Sequence, residues 1–203
     1  MKITMPGLAM LFASVLLLGG CATTGGGGSW QTLVDGTRGL DNFNAIGDAN
    51  WRAEGGAIVA DKGKGGFLVT KESYRDVEIR AEFWADDTTN SGIFIRMSDR
   101  AMVNPQNAYE VNIYDRRPDP TFATGGIVDV AKVNAAYKAA GKWNTMVITA
   151  KGAQFVITLN GVETSRGTDA KHAQGPFALQ FGAGPEGSPL GSIKWRKVQV
   201  RAL

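Results

Sequence analysis

Apolar and polar residues alternate along three segments in the middle of the chain, residues 77–84, 91–97 and 109–114. This alternation is typical of β-strands, because successive side chains of a strand point to opposite faces. One set of side chains is apolar and predicts a core face. The opposite set combines carboxylates, an arginine, an amide and aromatic rings. If the three strands pair in one sheet, this second set forms a surface whose composition is typical of a sugar-binding site.

Further short strands are predicted on both sides of this centre. The turns between them are rich in glycine, and the chain has 27 glycines in all, which favours a β-rich fold with many tight turns. About a dozen strands suffice for two packed sheets, so we expect an all-β sandwich. The connection 116–124 contains two prolines and is expected to fold over a sheet edge. The other predicted strands cover residues 31–34, 51–53, 57–60, 67–70, 143–150, 154–160, 162–164, 177–181 and 193–200.

The N-terminus resembles a bacterial lipoprotein signal. An apolar run too short to span a bilayer ends at Leu18-Gly19-Gly20-Cys21, where small residues precede the cysteine. The resemblance implies that residues 1–20 are removed and that the Cys21 thiol receives a diacylglycerol group. With Ala22 next to this cysteine, it also implies attachment to the outer membrane of a Gram-negative cell envelope, facing the periplasm. An ordinary signal peptide followed by a chance cysteine is the alternative.

This interpretation divides the chain into three parts. Residues 1–20 form the signal peptide, residues 21–29 a glycine-rich lipidated tether, and residues 30–203 a single domain. Cys21 is the only cysteine, so the sequence predicts no disulfide framework and no catalytic thiol. The formal net charge is +3, and no basic cluster is longer than Arg116-Arg117, so nucleic acid is not an expected partner.

The sequence contains no pattern typical of a metal centre. His172 is the only histidine; it lies in a polar turn without other ligands at suitable spacing, and is expected at the surface. Calcium is the one cofactor that the sequence leaves open, because Asp86, Asp87 and Asn90 offer oxygen ligands without a recognisable calcium loop. Trp143 and Trp195 are expected in the core.

Several motifs together resemble the family of 3-keto-disaccharide hydrolases. The central ones are Tyr74 to Phe83, Asn90 to Arg96 and Tyr109 to Ile113, and the resemblance covers residues 33–203. It implies a concanavalin A-like jelly-roll β-sandwich of two antiparallel sheets, similar to lectins and glucanases. One feature differs: family members often place a histidine shortly after the late Leu-Gln pair, whereas here Phe181-Gly182 follows. The other matching segments are Asp35-Gly36, residues 65–70, Trp143-Asn144-Thr145, residues 159–162 and residues 175–180.

The resemblance implies hydrolysis of glycosides whose sugar is oxidised to a ketone at C3. The ketone acidifies the hydrogen on C2, so a base can form an enolate; the group at C1 then leaves, and water adds back. This route requires a general base and a group that stabilises the enolate oxygen. We predict Glu110 as the base and Arg96 as the residue beside the enolate or beside Glu110. Alternatively, Glu110 is a solvated strand residue and Arg96 forms a structural salt bridge.

The remaining predicted site residues would bind the oxidised saccharide. Amide side chains would hydrogen-bond its hydroxyl groups, two aromatic rings would stack on a sugar ring, and one further carboxylate would support the site. The amides are Asn112, Asn90 and Gln180, the aromatic residues are Trp84 and Tyr114, and the further carboxylate is Glu82.

Three other functions are weighed against this one. Ordinary glucan hydrolysis by retention needs two carboxyl groups about 5 Å apart, but Asn112 occupies the position in phase with Glu110, and Asp115 would reach the site only through a bulge. A carbohydrate-binding lipoprotein without catalysis would use the same face. A structural envelope protein would use the sandwich only as a scaffold.

Overall fold

The structure is a computed structural model that describes residues 1–2, 28–183 and 190–203. The predicted signal peptide beyond its first two residues, Cys21 and most of the predicted tether lie outside the described residues. Among those that are described, no helix is long and apolar enough to cross a membrane.

The described chain is all-β, as the sequence predicts, and its strands form two antiparallel sheets. The eight-stranded sheet has the order β11-β10-β9-β6-β13-β4-β3, with β1 also paired to β13, and the five-stranded sheet has the order β2-β5-β12-β7-β8. The strands are β1 (Gln31–Asp35), β2 (Phe43–Gly47), β3 (Arg52–Glu54), β4 (Ala57–Ala60), β5 (Gly65–Thr70), β6 (Val77–Ala85), β7 (Ser91–Ile95), β8 (Tyr109–Ile113), β9 (Trp143–Lys151), β10 (Gln154–Leu159), β11 (Val162–Thr168), β12 (Ala178–Gly182) and β13 (Ile193–Ala202). Two single-turn 3-10 helices, Leu40–Asn42 and Pro120–Phe122, lie in the connections.

The core lies between the two sheets. Ile79 and Phe83 of β6 face it from the eight-stranded sheet, and Ile93 and Val111 face it from the five-stranded sheet; all four are at most 1% exposed. Burying a side chain of this size contributes about 1.5–3 kcal/mol to the free energy of folding. The alternating apolar residues therefore determine which face of each strand turns inward. Trp195 is fully buried in this core, as predicted. The same prediction for Trp143 is wrong, because Trp143 alternates with the inward residues of β9 and is only half-buried on the outer face.

One prediction about pairing is wrong. The strand β6 does not pair with β7 and β8, but lies between β9 and β13 in the opposite sheet. The side chains of Glu82 and Trp84 alternate with core residues and therefore lie on the outer face of the eight-stranded sheet. Glu82 pairs there with Arg196 at 2.6 Å, and the ammonium group of Lys194 lies 4.5 Å from the Trp84 ring centroid. Neither residue belongs to the surface that carries Glu110.

Candidate active site

The polar residues of β8 and β12 meet on the outer face of the five-stranded sheet, on either side of Gly92 in β7. In the register of β7 with β8, Glu110 lies opposite Phe94, and Asn112 lies opposite Gly92. A Cβ atom on Gly92 would lie 3.3 Å from Gln180 Oε1 and 3.5 Å from Glu110 Cγ. Gln180 and Glu110 therefore border the same small space above this glycine.

Glu110 is a buried carboxylic acid, with 7% of its surface exposed. Burial raises its pKa from 4.5 to about 7; the nearby Arg117 guanidinium opposes this increase and the Asp129 carboxylate adds to it. A carboxylate with such a pKa is a stronger base than an ordinary glutamate and is still partly ionised near neutral pH. Its position suits the removal of a proton from a bound molecule.

Several polar atoms on the side of the sheet that carries Glu110 are buried without a hydrogen bond to any described residue. Gln180 Oε1, Asn112 Oδ1 and Arg117 Nε are buried without a hydrogen-bond partner among the described residues. Buried polar groups are usually hydrogen-bonded, so unpartnered acceptors and donors near a buried acid are what a polar ligand would satisfy. Gln180 and Asn112, both predicted as binding residues, share this face with Glu110.

The segment after β8 folds back along that strand, as the sequence predicts, and brings two charged residues to the site. The backbone N–H of Asn112 donates to Gly126 O at 2.9 Å, and that of Val128 donates to Glu110 O at 3.0 Å. The side-chain amide of Asn112 also donates to Phe122 O at 2.7 Å. These bonds position the connection that carries Arg117 and Asp129.

Arg117 and Asp129 are not among the site residues predicted from the sequence. The only sequence signal for Arg117 was its place in a long connection, since such loops often carry function. Asp129 has a φ of 60°, a backbone conformation that is uncommon outside glycine and is concentrated at functional sites. That conformation cannot be recognised from the sequence.

A groove of about 470 Å³ adjoins the site across β12. Gln180 lines it on the side of Glu110, and Asn90 also lines it, while its own side-chain amide donates to Ala183 O at 2.8 Å. The ring of Phe67 stands edge-on to Phe94 at a centroid distance of 5.4 Å. The groove therefore combines amide groups with an apolar wall that includes Phe67, Ile46, Met102 and Val103.

Arg96 does not reach this site, so its predicted catalytic position is wrong. It follows the end of β7 with a φ of 54°, which interrupts the strand alternation and turns its side chain away from Glu110. The guanidinium, 2% exposed, donates to Arg75 O at 3.0 Å and to Gly152 O at 2.6 Å, and lies 3.4 Å from Asp76. These contacts connect the end of β7 to the residues that precede β6 and to the turn between β9 and β10.

Tyr114, the predicted stacking residue after β8, is 8% exposed. Such burial leaves little of its ring for contact with a sugar. The adjacent Asp115 is occupied by protein donors: its carboxylate accepts hydrogen bonds from Thr124 Oγ1 at 2.6 Å and from the backbone of Ala139 and Ala140. It does not supply a second free carboxylate.

His172 is buried rather than exposed, because its ring packs edge-on against Tyr109 at 5.1 Å. The surface position expected for it is wrong, and burial lowers the pKa of its imidazole. Asp86, considered for calcium, accepts hydrogen bonds from Thr88, Thr89 and Ser192. The described residues contain no group of three or more histidine, cysteine or acidic side chains placed to hold a metal.

Comparisons with known proteins agree with this architecture. The family model described as a 3-keto-alpha-glucoside-1,2-lyase-like domain matches residues 29–201. No curated protein sequence matches the chain. A candidate glycosyl hydrolase from Parabacteroides distasonis is similar in structure, with a TM-score of 0.69 and 23% identity over 86% of this chain and 100% of the other.

Two carbohydrate-binding proteins share the fold. The carbohydrate-binding module CBM66 from Bacillus subtilis has a TM-score of 0.57 and 15% identity, and the match covers 85% of this chain and 95% of the module. Lectin I-B4 from Griffonia simplicifolia has a TM-score of 0.59 and 13% identity over 86% of this chain and 100% of the lectin. At such low identity these similarities establish the fold alone, which is the lectin-like jelly-roll sandwich expected from the sequence.

Proposed function

The chain belongs to the family of 3-keto-alpha-glucoside-1,2-lyase-like domains, and from this membership we propose that it cleaves glycosides whose sugar carries a ketone at C3. A glycoside-related function follows from the family. The choice of an oxidised substrate is our proposal, and the observation that carries it is the buried Glu110, whose pKa of about 7 suits a base acting on an acidified C–H bond.

Glu110 starts the proposed reaction. Its carboxylate takes the proton from C2, and the electrons of the C–H bond move to the C3 oxygen as an enolate. When the enolate collapses, the C3 carbonyl re-forms, a C1–C2 double bond forms and the C1–O bond breaks. The leaving oxygen departs with the electron pair of the C1–O bond and takes the proton that Glu110 holds. Addition of water across the double bond then completes hydrolysis.

Neighbouring groups would stabilise the charge that this step creates. Arg117 influences Glu110 electrostatically, and its Nε has no hydrogen-bond partner in the described part of the chain, so it replaces Arg96 as the cation for the enolate oxygen. Asn112 Oδ1 and Gln180 Oε1 are acceptors without partners among the described residues, and they would accept hydrogen bonds from sugar hydroxyl groups. The groove beside Gln180 would take the group attached at C1.

An ordinary retaining glycosidase is the second candidate function. It is favoured by one observation: the Asp129 carboxylate is near enough to raise the pKa of Glu110. Two carboxyl groups flanking a glycosidic bond are the requirement of that mechanism. Such an enzyme would cleave the unoxidised sugar and would not require the acidic hydrogen at C2.

The cellular location remains a proposal from the sequence. A lipid on Cys21 would hold the enzyme at the outer membrane, facing the periplasm, where it would receive substrates already oxidised elsewhere in the envelope. Radiolabelled palmitate should enter the wild-type chain and not a Cys21→Ser variant expressed in a Gram-negative host. Equal labelling of both chains would refute lipidation at this cysteine.

The function can be tested with a 3-keto-disaccharide and its unoxidised parent. We expect release of sugar from the oxidised compound alone, a slower reaction when C2 carries deuterium, and loss of about 10²–10⁴-fold in rate in Glu110→Gln with sugar binding retained. Glu82→Gln is the matched control, because it removes a carboxylate on the opposite sheet, and should keep the wild-type rate.

Three other outcomes would contradict the proposed function or the proposed role of Glu110. Cleavage of the parent sugar alone, abolished by both Glu110→Gln and Asp129→Asn, would indicate the retaining glycosidase. Binding of the oxidised sugar without turnover would indicate a carbohydrate-binding protein. Unchanged turnover in Glu110→Gln would remove this residue from the mechanism.

A further inference from the structure

The outer face of the eight-stranded sheet carries three tryptophans, each covered by a cation. Arg80 and Arg201 lie over the Trp30 ring at 4.8 and 4.7 Å. Lys194 lies over Trp84 at 4.5 Å, and Arg196 over Trp143 at 4.4 Å. We call this surface, formed around β6, β9 and β13, the tryptophan–cation face.

The face also concentrates the positive charge of the protein. The outward positions of its three strands hold six cations and two carboxylates, Glu78 and Glu82, an excess of four, whereas the formal charge of the whole chain is +3. Both carboxylates pair with arginines of the same face. Four of the cations make no salt bridge within the described residues, and they are Arg80, Lys151, Lys194 and Lys197.

The N-terminal segment approaches the domain on this same face. Trp30 lies between two arginines of the face, and the backbone N–H of Gly28 donates to Ala202 O at the end of β13 at 2.8 Å. Cys21 precedes Gly28 by seven residues, so an extended chain places it at most about 25 Å away. A lipid on that cysteine would keep a membrane within reach of the face.

We propose that the tryptophan–cation face docks on the anionic headgroups of a lipid membrane. Tryptophan rings prefer the membrane interface, where an apolar body and a polar edge are both accommodated, and clustered lysines and arginines are attracted to anionic lipids. Because the two sheets pack back to back, docking through this face directs the Glu110 surface away from the membrane. The candidate active site then opens to soluble saccharides.

Binding to vesicles tests the docking without the lipid anchor. All described strands lie within residues 28–203, so this segment contains both sheets and lacks Cys21. We expect it to sediment with phosphatidylcholine vesicles that contain phosphatidylglycerol, less strongly as salt increases, and not with pure phosphatidylcholine. Brominated lipids should quench tryptophan fluorescence in the bound state.

Paired charge variants locate the contact. Arg80→Gln with Lys194→Gln should weaken binding to the anionic vesicles about 10-fold or more. Lys71→Gln with Lys132→Gln removes the same charge from exposed loops elsewhere and should have a much smaller effect. Thermal unfolding confirms that each variant is folded.

Equal weakening by the two pairs, or equal binding to neutral and anionic vesicles, would overturn the proposal. So would tight binding of a soluble polyanion such as DNA or heparin combined with no binding to vesicles. Neither the Glu110 mechanism nor lipidation of Cys21 enters this result, so it stands apart from the proposed function.

Discussion

Gly92 leaves an open position beside Gln180, and a side chain there would come within 3.3 Å of the Gln180 Oε1 atom. The same side chain would lie 3.5 Å from Glu110 Cγ and 2.9 Å from the carbonyl oxygen of Val111. The glycine is therefore needed for space rather than for backbone freedom. It lets an amide from β12 and an acid from β8 approach the same ligand.

Replacement of Gly92 by alanine should reduce turnover more than stability. The new Cβ would push against Val111 O and displace Gln180 or Glu110 by a few tenths of an ångström. We expect kcat/KM for a 3-keto-disaccharide to fall about 10- to 100-fold, because small misplacements of catalytic groups are costly. Gly28→Ala adds a Cβ at ordinary contact distance, 3.4 Å or more from its neighbours in the opposite sheet, and should retain full activity.

The rate should increase with pH through the ionisation of Glu110. A base acts only when deprotonated, and the pKa of this carboxyl is about 7, so kcat/KM should rise between about pH 6 and 8. Arg117 lowers that pKa, so Arg117→Gln should move the midpoint to higher pH as well as reduce the plateau. A pH–rate profile of each chain measures this. A reduced plateau with an unmoved midpoint would contradict the contact between Arg117 and Glu110.

The same acid should make the protein less stable at neutral pH than at acidic pH. The pKa of Glu110 is higher when folded, about 7 against 4.5, so the folded chain holds its proton more tightly. The resulting stability is complete below about pH 4.5 and is lost as the pH rises to about 7.

Glu110→Gln removes this cost of ionisation. Its free energy of unfolding should match the wild type near pH 4 and exceed it by up to about 3 kcal/mol at pH 8. Urea unfolding at both pH values measures the difference. A variant that is equally destabilised at both pH values would show that ionisation of the buried Glu110 carboxyl group does not destabilise the folded protein.

Arg96 should contribute to stability and not to catalysis. Replacing it by methionine leaves Arg75 O and Gly152 O without their buried donor, which should cost roughly 2–5 kcal/mol of unfolding free energy. The folded fraction should keep the wild-type kcat. Arg166→Gln, which breaks an exposed pair with Glu163, should change stability by less than about 1 kcal/mol. A specific loss of kcat in the Arg96 variant would restore its predicted catalytic role.

The sequence by itself determined the fold class and most strands of this protein. Alternating apolar positions cause one face of a strand to be buried whatever its partners, so the inward face of β6 could be predicted locally. The boundaries of β4 could be predicted because glycine-rich turns flank a short apolar run. The polar face of β8, with Glu110 and Asn112 two residues apart, was predicted for the same reason. The family motifs supported the jelly-roll arrangement.

Only the tertiary structure decided which strands are neighbours. Alternation fixes the face of a strand but not its sheet, so Glu82 and Trp84 were wrongly placed with Glu110 although β6 pairs with β13. A left-handed backbone at Arg96 redirected one predicted catalytic side chain. Long-range backbone hydrogen bonds brought the connection that carries Arg117 to the site. These outcomes depend on contacts between distant parts of the chain, which no local pattern encodes.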